Sequence, residues 1–252
     1  METVLSIRNL TKHFGRIKAV NNLNLEVARG QVFGMLGPNG SGKTTTLGML
    51  MGVVNPTEGE FTWFGEPPTH QVRKRIGAVL EHPIFYPYLS GQKNLELNAT
   101  IKECDPGNIS GVLELVGLSE RRDDKYKTYS LGMKQRLAIA SALLNDPAVL
   151  ILDDFHLVDD AADVRHIARE LVSRAPERLS IVFASRRPPT IPLSRLRAVG
   201  EVAELSTDDL RFDVDETARL FNETYGRRLD PDVLVDLAER TEGWIASLHL
   251  VQ

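Results

Sequence analysis

Residues 37–44 read Gly-Pro-Asn-Gly-Ser-Gly-Lys-Thr, and no other stretch restricts the fold of this chain as much. The spacing G-x-x-x-x-G-K-[ST] is that of a loop whose backbone N–H groups wrap phosphate, and it has meaning only between a strand and a helix. Both neighbours are present: the apolar run 32–36 leads in, and the helix-like run 44–50 leads out. Gly37, Gly40 and Gly42 let the backbone curl so that its N–H groups point inward, with Pro38, Asn39 and Ser41 completing the turn. The N-terminus of the helix adds partial positive charge. Lys43 would reach the β- and γ-phosphates of a nucleoside triphosphate, the Thr44 hydroxyl would ligate Mg²⁺, and Thr45 joins the phosphate-contacting set. The plain alternative is a glycine-rich turn before a helix, and a second motif far downstream argues against it.

That motif is the apolar strand 148–152 ending in Asp153-Asp154. A carboxylate at such a strand end, as in a Walker B motif, would hold Mg²⁺ directly or through water, which is the role expected of Asp153. Asp154 could polarise the attacking water, or either carboxylate could instead cap the following helix. Further strand-like stretches lie at 3–8, 23–27, 60–64, 76–80, 179–184 and 201–205. Helical patterning fills 91–145, with a break at Asp105-Pro106-Gly107, then 161–174 and most of the chain from 215. Strands alternating with helices around a phosphate loop predict an α/β fold with a mainly parallel sheet flanked by helices. The nucleotide would then lie at the carboxyl ends of the strands. Ser185-Arg186, after the strand 179–184, is a third group expected at such an end.

The 252 residues suffice for a sizeable core, and 42% hydrophobic with 25% charged residues is ordinary for a globular protein. A net charge of −4 gives no footprint for nucleic acid and no polybasic signal for a membrane surface. The single cysteine, Cys104, excludes an intramolecular disulfide and fits a reducing cytosol. No apolar run approaches the ~20 residues of a transmembrane helix. The expected location is cytoplasmic, peripheral at the inner face of a membrane only through a partner.

Residues 1–152 resemble the ATP-binding subunits of ABC transporters, especially those of antibiotic-resistance and lantibiotic-immunity exporters. Beyond the P-loop, the resemblance rests on three segments. Residues 10–15 look like the A-loop, which implies that Phe14 stacks on adenine, the alternative being a core aromatic. Residues 76–83 match the Q-loop segment, with Glu81 where most members carry Gln; Glu can still ligate Mg²⁺ or orient water near it. Residues 129–137 resemble the signature stretch, keeping Ser130 and Gly132. A Ser hydroxyl and free N–H groups at a helix N-terminus form an anion site, and in the family it closes on the γ-phosphate of a second nucleotide-binding domain. A plain helix N-cap is the alternative for Ser130. The resemblance implies a P-loop NTPase with an N-terminal antiparallel β subdomain and a helical insertion over 85–145. It also implies ATP and Mg²⁺ as ligands, a head-to-tail dimer and a membrane permease as partner.

After the Walker B strand the family pattern stops. No Glu follows Asp153, no D-loop is recognisable in 155–159, and Arg186 occupies the position of the family's strand-end His. Residues 150–252 resemble STAND-type signalling ATPases of the maltose-regulator and large LuxR kind, through 150–157, 181–189, 193–197, 204–212 and 241–244. That resemblance implies that Arg186 senses the γ-phosphate through its planar charged fork, the alternative being a solvated loop arginine. It also implies that residues 153–252 complete the sheet, followed by C-terminal helices from about 215. The sequence thus reads as two ATPase types joined at a Walker B strand expected beside the P-loop strand, by recombination or design. Asp154 is one methylene shorter than Glu, a deficit of ~1.5 Å. The expectation is MgATP binding with weak hydrolysis. The alternatives are a STAND-like nucleotide switch and a P-loop scaffold without a native partner.

Overall fold

The computed structural model describes residues 2–15, 17–80, 85–159, 161–174, 179–205 and 213–241. A long antiparallel hairpin of β1 (Thr3–Phe14) and β2 (Ile17–Ala28) opens the chain, and β4 (Glu58–Trp63) pairs with the other edge of β1. Both hairpin strands run farther than the alternation at 3–8 and 23–27 predicts. The polar stretch around Asn9 and Asn22 still pairs, but through register shifts between Ile7 and His13. Asn9 and Asn22 take left-handed backbone there, at φ 51 and 48, which Asn tolerates better than most residues. Bulged, half-exposed pairing of this kind erases the apolar–polar alternation that a sequence reading depends on.

The second sheet is parallel throughout. Its order is β5 (Ile76–Val79), β6 (Val149–Leu152), β7 (Ser180–Ser185), β3 (Val32–Leu36) and β8 (Val202–Leu205). The expectation that the Walker B strand lies beside the P-loop strand is therefore corrected, because β7 stands between β6 and β3. The burial of β7 explains its place: all six residues are buried, as are all four of β6, so both need cover on two faces and neighbours on two edges. Successive residues point to opposite sides. Val149, Ile151, Val182, Ala184, Phe33 and Met35 join the core beneath the antiparallel subdomain. Leu150, Leu152, Ile181 and Phe183 join the core beneath the helical insertion. Strand β3 lies between β7 and β8, so segments from before and after residue 152 alternate across one sheet.

Helix α1 (Lys43–Leu50) follows the P-loop, and the Trp63 indole N–H donates to the Leu50 carbonyl at 3.1 Å, fastening the antiparallel subdomain to the end of that helix. The insertion contains α3 (Gly91–Lys102), α4 (Ile109–Leu115) and α5 (Leu131–Leu143), with α5 lying on β5. Two short helices, α2 (His70–Arg73) and α7 (Ser194–Ala198), were not foreseen, since four or five residues are too few to display a helical period. Helix α6 (Ala162–Arg174) precedes β7. The chain then forms two packed helices, α8 (Val214–Tyr225) and α9 (Pro231–Thr241), joined through Leu220, Phe221, Leu229 and Leu237. Helix α8 begins with a capping box between Asp213 and Glu216, and the Asn21 amide of β2 donates to the same Glu216 carboxylate at 2.9 Å.

Gly77 of β5 lies tightly against the insertion: a Cβ there would lie 2.3 Å from the Ala142 carbonyl oxygen of α5. Gly77→Ala should destabilise the chain by about 1–3 kcal/mol through forced displacement of α5. Urea unfolding monitored by circular dichroism reads this directly, and a midpoint equal to that of the parent chain would refute the tight contact.

Candidate nucleotide site

Strand β3 ends at Leu36 beside Ser185, and the Gly37 N–H donates to the Ser185 carbonyl at 3.2 Å. This contact starts the loop at a fixed point against β7. Gly40 and Gly42 then take φ 84 and 86, the left-handed region open to glycine. A Cβ on Gly42 would also sit 2.6 Å from the Ala19 carbonyl oxygen of β2, so the position is closed to a side chain on two grounds. Gly42 is the N-cap of α1 and offers no side-chain acceptor, which leaves the first N–H groups of that helix available to an anion. Thr44 is exposed and Thr45 half-buried.

Lys43 is only 5% exposed. Its Nζ donates to the carbonyls of Gly37 at 2.6 Å and Pro38 at 2.8 Å, and to Ser41 Oγ at 3.3 Å. Burial pushes its ammonium below the usual lysine range, the carboxylates of Asp154 and Asp153 pull it back up, and Arg186 pushes it down again. The two carboxylates and the guanidinium thus act on the P-loop lysine from the ends of β6 and β7. Ser185 at that strand end is fully buried, and its hydroxyl has no hydrogen-bond partner.

Asp153 is 9% exposed, its N–H donates to the Val79 carbonyl at 2.9 Å, and its Oδ1 accepts from the Asp154 N–H at 2.9 Å. Asp154 takes left-handed backbone, φ 47 and ψ 37, a conformation costly to a side chain with Cβ and concentrated at functional sites. It begins the short turn Phe155–Leu157, yet its side chain makes no capping hydrogen bond, so the capping alternative for this carboxylate is not realised. Phe155 fixes the turn by packing edge-on against Phe183 of β7, with ring centroids 4.9 Å apart. Asp159, fully buried, accepts from the Thr190 N–H at 3.0 Å and the Thr190 hydroxyl at 2.9 Å. That pair ties the loop after β6 to the loop after β7, which carries the exposed Arg186. The sequence offers 155–159 only as a segment without a D-loop and, through 155–157, as part of the STAND-type resemblance; the burial of Asp159 has no local signal. His156, half-buried within 3.7 Å of Asp154, was likewise passed over.

The remaining expected residues lie farther out. Phe14 is 48% exposed, which excludes the core-aromatic alternative, and Lys12 Nζ lies 5.1 Å from its ring centroid. It pairs with Ile17 at the hairpin end, two residues from the Ala19 that abuts Gly42. Ser130 caps α5, accepting from the Met133 N–H at 3.2 Å, with Gly132 open to space and Leu131 70% exposed beside it. The packing partners of α5 include β5, α3, α4 and α6. Gln135 of α5 lines a crevice with Leu80, Asp153 and Asp154. Glu81 lies outside the described residues, so its two expected roles rest on its place next to Leu80. Among the described residues no group of three or more His, Cys, Asp or Glu gathers as a protein-only metal centre. A Mg²⁺ ion suits the Thr44 hydroxyl and the Asp153 carboxylate only with phosphate oxygens completing its shell, which fits the reluctance of that ion to shed its other ligands.

Comparison with known proteins identifies the family. The ABC transporter family model matches residues 20–156. The bacitracin transport ATP-binding protein BcrA of Bacillus licheniformis is 41% identical over 189 residues, 73% of this chain and 62% of that protein. The Nod factor export ATP-binding protein I of Cupriavidus metallidurans is 36% identical over 96% of this chain and 84% of that protein. Among solved structures, cbiO1 of Clostridium perfringens, part of the ABC transporter complex cbiONQ, is 25% identical with a TM-score of 0.66, covering 74% of this chain and 80% of that one. The chain spans 51–62% of the length of several of the curated relatives it matches. None of these matches supports a separate STAND-type origin for residues 150–252 or a join at β6. From its P-loop through its Walker B strand, on a parallel sheet with an antiparallel β subdomain, this chain belongs to the ABC transporter family of ATP-binding proteins.

Proposed function

We propose that this chain binds MgATP and hydrolyses it slowly, as the ATP-binding subunit of an exporter. The observation that carries the reading is the state of Lys43: buried, held by the carbonyls of its own loop, and within the fields of Asp153, Asp154 and Arg186. Phosphate oxygens would take over those carbonyl contacts, and the loop N–H groups, the α1 N-terminus and Arg186 would share the negative charge. Mg²⁺ would rest on Thr44 and Asp153 and would offset charge on the phosphates. Asp154 would orient the attacking water, with Glu81 as a second carboxylate on the Q-loop side. The reach deficit of Asp154 accounts for slow turnover, since a misplacement near 1 Å costs on the order of 10²-fold. Phe14 would stack on adenine.

Partners follow from the same reading. The exposed Ser130, Leu131 and Gly132 would close on the γ-phosphate held by a second copy, giving an ATP-dependent homodimer. A membrane permease would dock on the subunit and hold it at the cytoplasmic face. No described helix is long and apolar enough to cross a membrane. Relatives named for bacitracin and lantibiotic transport favour a peptide antibiotic as cargo. The net charge of −4 gives no reason to expect nucleic acid. One observation favours a second reading, a nucleotide switch read out by α8 and α9: the Asn21–Glu216 hydrogen bond links α8 to the hairpin that carries Phe14.

Lys43→Ala should abolish the thermal stabilisation that MgATP gives the parent chain; equal stabilisation of both would refute phosphate capture by this loop. Asp154→Asn should lower phosphate release by on the order of 10²-fold while leaving MgATP bound. Light scattering on the same sample should then show an ATP-dependent dimer. A persistent monomer that retains ADP would favour the switch, and unchanged turnover would remove Asp154 from the reaction.

A further inference from the structure

We infer that His156 is a positioning residue for Asp154, its Nδ1–H closing onto the carboxylate and holding it toward the attacking water. The inference rests on the hydrolytic reading above and adds a residue to it. His156 and Asp154 lie two positions apart around a tight turn, with Nδ1 and Oδ1 3.7 Å from each other. That is just under 1 Å beyond a normal N–H···O distance. Both side chains are largely enclosed, 11% exposed for His156 and 20% for Asp154. Neither imidazole nitrogen has a hydrogen-bond partner, and both are shielded from solvent. An enclosed ring with two unused polar atoms is costly unless something completes it. The carboxylate 3.7 Å away is the one assigned to direct water.

The turn between them leaves little freedom. Phe155, 2% exposed, is wedged against Phe183, so the backbone on which both side chains sit is anchored to β7. The Asp159–Thr190 hydrogen bonds hold the far end. Small rotations of two side chains on a fixed turn are enough to make the contact. Burial depresses the basicity of the imidazole, and Arg186, Lys43 and Arg187 act in the same direction against the opposing pull of Asp154. The ring is accordingly neutral, one nitrogen carrying a proton to donate. A donor on one carboxylate oxygen leaves the other free for water and limits the rotation of a side chain that is short for its task. His156 exchanges no proton in this role.

The test uses the full chain. His156→Phe keeps a ring and removes both nitrogens, whereas His156→Asn keeps an N–H close to the Nδ1 position. With MgATP, His156→Phe should lower kcat about 10-fold or more, with nucleotide affinity within about two-fold of the parent chain. His156→Asn should recover most of that loss. In an Asp154→Asn background, His156→Phe should cost nothing further, because the group it positions is gone. An equal loss in both backgrounds, an unchanged rate, or a loss of affinity matching the loss of rate overturns the proposal. If His156→Phe fails to fold, nitrogen-15 NMR of the parent chain decides: a protonated Nδ1 is expected, and a protonated Nε2 overturns it. Parental turnover no faster than that of Asp154→Asn would instead overturn the hydrolytic reading and this one together, whereas parental turnover that is slow but above that of Asp154→Asn, and unaffected by His156→Phe, removes this one alone.

Discussion

The seating of β7 between the P-loop strand and the Walker B strand is the constraint on which the site depends. Leu36 of β3 pairs with Ser185, and Leu152 of β6 pairs with Phe183. The two flanking strands therefore end two residues apart along β7, and Gly37 and Asp153 leave the sheet at heights fixed by that offset. A strand advances ~3.3 Å per residue, so a slip of one position in either pairing would displace the P-loop relative to Asp153 by about that distance. It would also turn the alternating side chains of β7 into the wrong cores. Ile181 and Phe183 face one core while Val182 and Ala184 face the other, so the hydrophobic packing that stabilises the domain also sets the register of the site.

Residue types carried most of what could be read without coordinates. The P-loop, the apolar run before Asp153 and the Ser130 cap are each local patterns, and each stands where local chemistry puts it. Strand order was misread because adjacency in a parallel sheet is a long-range choice: nothing within 148–152 or 179–184 says which strand lies between the other two. The same holds for Asp159 and Thr190, whose hydrogen bonds cross 31 positions of sequence. The extent of β1 and β2 was lost for the opposite reason, since bulges at polar residues hide a pairing that is entirely local in sequence. Resemblance worked best over 20–156, where the family model also matches, and gave its least supported reading beyond Walker B.

The remaining argument concerns where the structure leaves polar groups dissatisfied. Among the described residues, the buried side-chain atoms without a hydrogen bond belong to Thr46, Arg136, His156 and Ser185. Three of these four lie on the P-loop helix, at the end of β7, or in the turn after β6. Nearby, Asp154 carries left-handed backbone, at a cost of about 1–3 kcal/mol, and Lys43 is buried with its ammonium held by loop carbonyls. A scaffold selected for stability alone would gain by relaxing each of these: a glycine at 154, an apolar residue at 156, an alanine at 185. Their concentration at adjacent strand ends, while the central strands elsewhere are apolar and close-packed, is what a site shaped for a charged ligand requires. Each group is costly to the free chain, and on the reading proposed above phosphate, metal and water would supply the missing partners.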